Sequence, residues 1–200
     1  MLQDRGAWAV TPHKVQGFTL IELMIVLVIA AVLLAAGAPS FANLIKNNRM
    51  LSLIYEMRAT VNTARSEALT QRTFVTVCSS KDGATCGGEW KEGYIAFRDT
   101  DGDGTVDNPN TADGDQIILA KTLDVDTKKF SYSSLPDHRI RFDSRGYATG
   151  FSGTFTLCDD RGQAEARGLI LTPSGLLRAA EDPIKKGVML DHEGDALDCT

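Results

Sequence analysis

The chain has 200 residues, a formal net charge of −5 and a hydrophobic content of 43%. Acidic residues crowd 99–126 and 181–198, a balance that disfavours phosphate-backbone partners unless a local basic patch exists. Catalysis finds no footing. His13, His138 and His192 are scattered, and H-E-x-x-H, G-x-S-x-G, P-loop and G-x-G-x-x-G patterns are all missing from the sequence.

In chain order, residues 1–17 read as a short leader carrying Arg5 and Lys14. It runs into Gly17-Phe18-Thr19-Leu20-Ile21-Glu22-Leu23 and an apolar stretch that ends at Ala38. From Phe18 to Ala38 the one charged side chain is Glu22. About 20 residues at 1.5 Å each reach across a bilayer core of roughly 30 Å. An unpaired carboxylate in hydrocarbon costs on the order of a few kcal/mol, so Glu22 requires a partner cation, a proton or a place at the membrane edge. A secretory signal is the rival explanation, since Ala35-Ala36-Gly37-Ala38 offers small residues after an apolar core. The carboxylate inside the run and the Gly-Phe junction before it speak against that.

These residues, from Lys14 to Pro39, resemble the class III signal of type IV pilins and type II secretion pseudopilins. The resemblance implies cleavage between Gly17 and Phe18 by a prepilin peptidase and methylation of the new amine on Phe18. It also implies that Glu22 neutralises the amino terminus of a neighbouring subunit during assembly, and that Pro39 bends the helix. By the same likeness the chain is a single-pass inner-membrane protein with a periplasmic C-terminal domain. Its partners are other pilins or pseudopilins, met through the N-terminal helix.

Past Pro39, Leu44, Leu51, Ile54, Val61, Ala64 and Ala68 recur at helical spacing, and no Gly or Pro interrupts 40–72. One helix from about 18 to 71 is expected, kinked at Pro39 where the ring removes a hydrogen bond. It would be roughly 80 Å long. Strands are expected at 73–79, 94–97, 116–121, 130–133, 140–143, 154–157, 168–172 and 176–179, punctuated by glycines. The fold class is α+β: a long N-terminal helix packed on a small antiparallel β-sheet domain. The divisions are a leader at 1–17, a transmembrane and assembly helix at 18–39, its amphipathic continuation at 40–72 and a β-rich domain at 73–200.

The cysteines are Cys78, Cys86, Cys158 and Cys199, with no C-x-x-C pair to suggest a zinc ribbon or a thioredoxin-like site. Their even number after a membrane segment suggests two disulfides. Three connectivities exist. Cys78–Cys86, closing a Gly-containing hairpin-like loop, with Cys158–Cys199, pinning the C-terminus, is preferred over the other two and over four free thiols.

The stretch Asp99-Thr-Asp101-Gly-Asp103-Gly104-Thr105-Val106-Asp107 resembles a calcium loop. Its carboxylates alternate, a glycine follows the third, and Thr105 has a backbone carbonyl to offer. It departs at the twelfth position, where Asn110 stands for a bidentate Glu; Asp113 and Asp115 are the nearest substitutes. A merely solvated acidic loop is the alternative.

Trp90, Tyr94 and Phe97, then Arg141-Phe142-Asp143-Ser144-Arg145-Gly146 and Leu169-Ile170-Leu171-Thr172-Pro173-Ser174-Gly175, are similar to the GspH/FimT branch of minor pilins and pseudopilins. That resemblance implies a structural subunit that primes or caps a filament. Some FimT-type pilins bind DNA through a basic C-terminal patch, for which Arg161, Arg167, Arg178, Lys185 and Lys186 are the candidates here. The Gly-Arg-x-Arg pattern associated with that activity is missing, the stretch reading Ser174-Gly175-Leu176-Leu177-Arg178. Glu181, Asp182 and Asp191 lower the local potential further.

Overall fold

The structure, a computed structural model, describes residues 17–109, 111, 114–123, 127–133, 139–183 and 187–200, with backbone alone at 36 and 38–40. The expected leader, apart from Gly17, lies outside the described residues. One helix, α1 (Leu20–Gln71), runs through two compact units, Met1–Leu44 and Ile45–Thr200. It passes Pro39, whose side chain is outside the described residues. Arg72, at φ 55, ends it in the left-handed conformation that most helices assign to glycine.

In the second unit the helix buries a stripe at spacings of three and four: Met50, Leu53, Ile54, Met57, Val61, Ala64 and Ala68. Each large member gains about 1.5–3 kcal/mol from leaving water. The expected face is corrected at its N-terminal end, because Leu44 and Leu51 are exposed and Met50, Leu53 and Met57 take the inward positions. The inward row passes through Met50, and Leu51 lies about 100° round the helix from it.

Eight strands follow: β1 (Phe74–Ser79), β2 (Gly93–Asp99), β3 (Gln116–Thr122), β4 (Lys129–Tyr132), β5 (Ile140–Phe142), β6 (Gly153–Cys158), β7 (Arg167–Leu171) and β8 (Leu177–Ala179). Each expected strand is present within a residue or two of its bounds, and together they form two sheets. The orders are β3-β2-β1-β5 and β4-β6-β7-β8, antiparallel throughout. The division arises because β4 pairs with β6, at Phe130–Leu157 and Tyr132–Phe155, and not with the strand next to it in sequence.

The main core joins the helix stripe to Val75, Val77, Tyr94 and Ala96 of the first sheet and to Phe130, Tyr132, Phe155 and Leu169 of the second. Trp90, in the β1–β2 connection, meets Phe155 edge-on at 5.1 Å between centroids and Tyr132 at 6.1 Å. Polar side chains of α1 then fix its seat. Glu56 pairs with Lys121 at 2.9 Å and Glu67 with Arg98 at 2.6 Å, both on the first sheet. Lys46 pairs with Asp160 at 2.6 Å, and the Asn47 amide oxygen accepts from Arg161 at 2.9 Å, both just past β6.

Each sheet carries a small apolar cluster away from this core, closed by a disulfide. Cys78–Cys86 sits over Ile95 and Phe97, with Val106 of the acidic loop packed alongside. Cys158–Cys199 holds the C-terminal residues over Ile170, Ala166 and Leu197. Gly168 permits that contact, since a Cβ there would lie 2.7 Å from the Ala180 methyl.

Arg65 explains why two distant turns read as linked motifs. Its Nε donates to the Gly146 carbonyl at 3.0 Å and its Nη2 to the Ser174 carbonyl at 3.2 Å. The turns also touch directly: Ala148 N–H donates to the Pro173 carbonyl at 2.9 Å. Gly175, at φ 77, comes so close that a Cβ would stand 2.2 Å from the Gly146 carbonyl oxygen.

Two outcomes are expected from denaturant unfolding of the full chain. Serine at both Cys158 and Cys199, which close 41 residues, should lower stability by about 4 kcal/mol; serine at Cys78 and Cys86, which close 8, should lower it by about 2.5 kcal/mol. Equal losses would contradict an origin in unfolded-state loop entropy. Arg65→Ala should cost about 1 kcal/mol by removing the part-buried bond to the Gly146 carbonyl, since water can replace the exposed bond to Ser174, and Arg65→Lys should recover only part, because an ammonium lacks the planar fork.

Candidate functional site

The N-terminal segment is built by a helix cap. Thr19 precedes the first helical residue, and its Oγ1 accepts from the Glu22 backbone N–H at 3.2 Å. Its carbonyl accepts from Leu23 N–H, also at 3.2 Å. Thr19-Leu-Ile-Glu22 thus has the spacing of a capping box, a signal present in the sequence itself. Glu22 lies in the first turn, where the positive end of the helix dipole favours a carboxylate. Phe18 is 84% exposed, and among the described residues nothing lies within 4 Å of where a Gly17 Cβ would be.

Beyond the cap the helix is apolar on every side. Seven consecutive residues, Leu23, Met24, Ile25, Val26, Leu27, Val28 and Ile29, are each between 54% and 63% exposed. Two full turns without a polar or a buried side mean that the described residues of the first unit supply no surface to cover them. Among the described residues, no helix is long and apolar enough to cross a membrane.

The acidic loop lies between β2 and β3. One carboxylate oxygen from each of Asp99, Asp101 and Asp103 falls within 4.8 Å of the others. Asp101 Oδ1 accepts from Asp103 N–H at 3.2 Å, and Asp103 Oδ1 accepts from both the N–H and the hydroxyl of Thr105. Thr105 thus turns the chain, while Asp107 stays outside that group of three. Asp115, considered as a closing ligand, is a clasp: its Oδ1 accepts from Thr100 N–H at 2.9 Å and its Oδ2 from Asp107 N–H at 3.0 Å. It therefore ties the two ends of the loop together. Asn110 and Asp113 lie outside the described residues.

The basic residues considered for DNA are placed differently from one another. Arg161 forks onto Asp159 at 2.6 Å, reaches Asn47 and lies 3.6 Å from Glu165. Burial alone would raise the Asp159 carboxyl, but the Arg161 guanidinium outweighs it and holds the carboxyl below its usual range. Arg167 pairs with Glu165 at 3.8 Å, and Arg178 is exposed on the short strand β8. Lys185 and Lys186 lie outside the described residues. Arg161 and Arg167 are thus engaged by acidic neighbours, and what they hold in place is the β6–β7 connection.

The comparisons with known proteins agree with this geometry. The profile described as type II transport protein GspH matches residues 55–175, and that of the prokaryotic N-terminal methylation motif matches residues 12–38. No curated protein matches significantly. Among solved structures, a crystal form of the type IV minor pilin FimU of Pseudomonas aeruginosa PAO1 matches with a TM-score of 0.50 at 19% identity, over 68% of this chain and 91% of that one. A second crystal form of FimU gives 0.48 at 19% identity, over 66% and 93%. A long helix against antiparallel sheets is the fold these chains share. The GspH profile spans more than half of the sequence, and the chain belongs to the GspH family.

Proposed function

We propose that this chain is a minor pilin or pseudopilin, a structural subunit that primes or caps a type IV pilus or a type II secretion pseudopilus. The observation that carries the proposal is the helix from Leu23 to Ile29, apolar and exposed on every side, after a capped first turn. A helix of that kind persists only when lipid or other helices surround it. A subunit that waits in the membrane and then joins a filament has both coverings in turn. The sequence stays apolar from Phe18 to Ala38, about 30 Å at 1.5 Å per residue, which supports a single inner-membrane pass with the disulfide-bearing domain in the oxidising periplasm.

In this reading prepilin peptidase removes residues 1–17 and Phe18 receives the methyl group. Glu22 then meets the amine of a neighbouring subunit. A buried carboxylate without a cation is strongly disfavoured, so the pair dictates the register of the incoming helix. Thr19 holds that first turn in place and so presents Glu22 at a defined height. Arg161 and Arg167 are committed within the fold, which is why filament assembly is preferred here over DNA capture.

Mass spectrometry of the mature protein is expected to show a chain that begins at Phe18 and carries one added methyl group. A different start would remove the basis of the proposal. Glu22→Ala should leave membrane association intact and reduce incorporation into sheared filaments at least tenfold. Unchanged incorporation would refute the pairing role.

A further inference from the structure

The buried end of the acidic loop is the feature that filament assembly does not use. Asp99 closes β2 with no exposed surface. Its Oδ2 accepts from the Thr76 hydroxyl at 2.6 Å, inside the sheet. Its Oδ1 is also buried and, among the described residues, has no hydrogen-bond partner. An unpaired oxygen of that kind costs on the order of 1–3 kcal/mol, more for a charged group. Burial, the largest influence, pushes the Asp99 carboxyl above its usual range. Thr76 and the amides of Gly104 and Gly102, which face it, offset part of the rise, and Asp115 adds to it. Asp101 and Asp103, both exposed, bring their carboxylates to within 4.8 Å of Asp99.

We propose that Asp99, Asp101 and Asp103 form the floor and walls of a divalent-cation site that takes calcium, with the Thr105 carbonyl and water completing the shell. The cation supplies a positive partner for Asp99 Oδ1, whose burial the facing Gly102 and Gly104 amides offset only in part. Hard oxygen ligands and an open outer side suit calcium, which accepts six to eight oxygens in irregular geometry; magnesium needs a near-ideal octahedron. The loop is prepared for it. Asp115 clasps both its ends, and Val106 anchors it on the Phe97 cluster. Gly104, at φ 81, holds a conformation that favours glycine, and its carbonyl accepts from Arg139 at 3.0 Å. With one side open to solvent and the bidentate Glu missing, affinity falls in the weak extracellular range, with a Kd on the order of 10⁻⁴–10⁻³ M.

The test uses the full chain in detergent micelles, stripped with a chelator, then titrated with calcium chloride or magnesium chloride in a calorimeter and melted at each concentration. Calcium should give a saturable heat and raise Tm by roughly 3–10 °C at about 10 mM, with a much smaller response to magnesium. The double variant Asp101→Asn/Asp103→Asn changes exposed side chains, so it should melt near the parent temperature without calcium and lose the calcium response. Asp99→Asn should melt higher than the parent without calcium, since a buried charge is gone, and should also lose the response. No saturable heat and no rise in Tm would overturn the site. So would equal responses to the two cations, or a response that survives in the double variant.

Discussion

The second unit depends on one burial event: a helical stripe from Met50 to Ala68 against two sheets at once. Residues of both sheets pack on the stripe and share one core with it. The ion pairs and hydrogen bonds from Lys46, Asn47, Glu56, Arg65 and Glu67 add modest energy each, but they fix rotation and height of the helix against both sheets. Trp90 fills the place where the first sheet's connection meets the second sheet's aromatic residues.

The outer faces solve a different problem. A four-stranded sheet packed on one side exposes the other, and among the described residues the chain has no second α-helix to cover it. Each sheet instead acquires a small cluster under a loop or tail held by a disulfide. In an oxidising compartment such bridges persist, and they hold short segments that burial alone would secure weakly. The acidic loop belongs to this outer layer, which is why its backbone can be firmly placed while two of its carboxylates face water.

The first unit obeys the opposite rule. Its side chains are apolar and exposed together, so its stability as a surface is conditional on a surrounding medium. Glu22 has two compatible roles. It sits in the capped first turn of its own helix, and in the proposed assembly it faces the amine of a neighbour. In that proposal the carboxylate favoured by the helix N-terminus is also the group that sets subunit register.

Local chemistry decided much of this protein by itself. The Gly17-Phe18 junction, the apolar run with Glu22 inside it, the helix up to Gln71 and the positions of all eight strands follow from composition, periodicity and glycine placement within short windows. The loop-closing Cys78–Cys86 pairing is of the same kind, because its partners are near in sequence. Tertiary structure decided what depends on distant partners. The division into two sheets turns on β4 meeting β6. The choice of Met50 and Met57 over Leu44 and Leu51 turns on which side of the helix the sheets approach. Arg65 acquires its partners only where the turns at Gly146 and Ser174 close over it, and Asp115 meets two backbone amides from the far ends of its loop. Hydropathy and spacing rank residues one at a time along a line, whereas these outcomes depend on which groups are left without a partner once the chain has closed on itself.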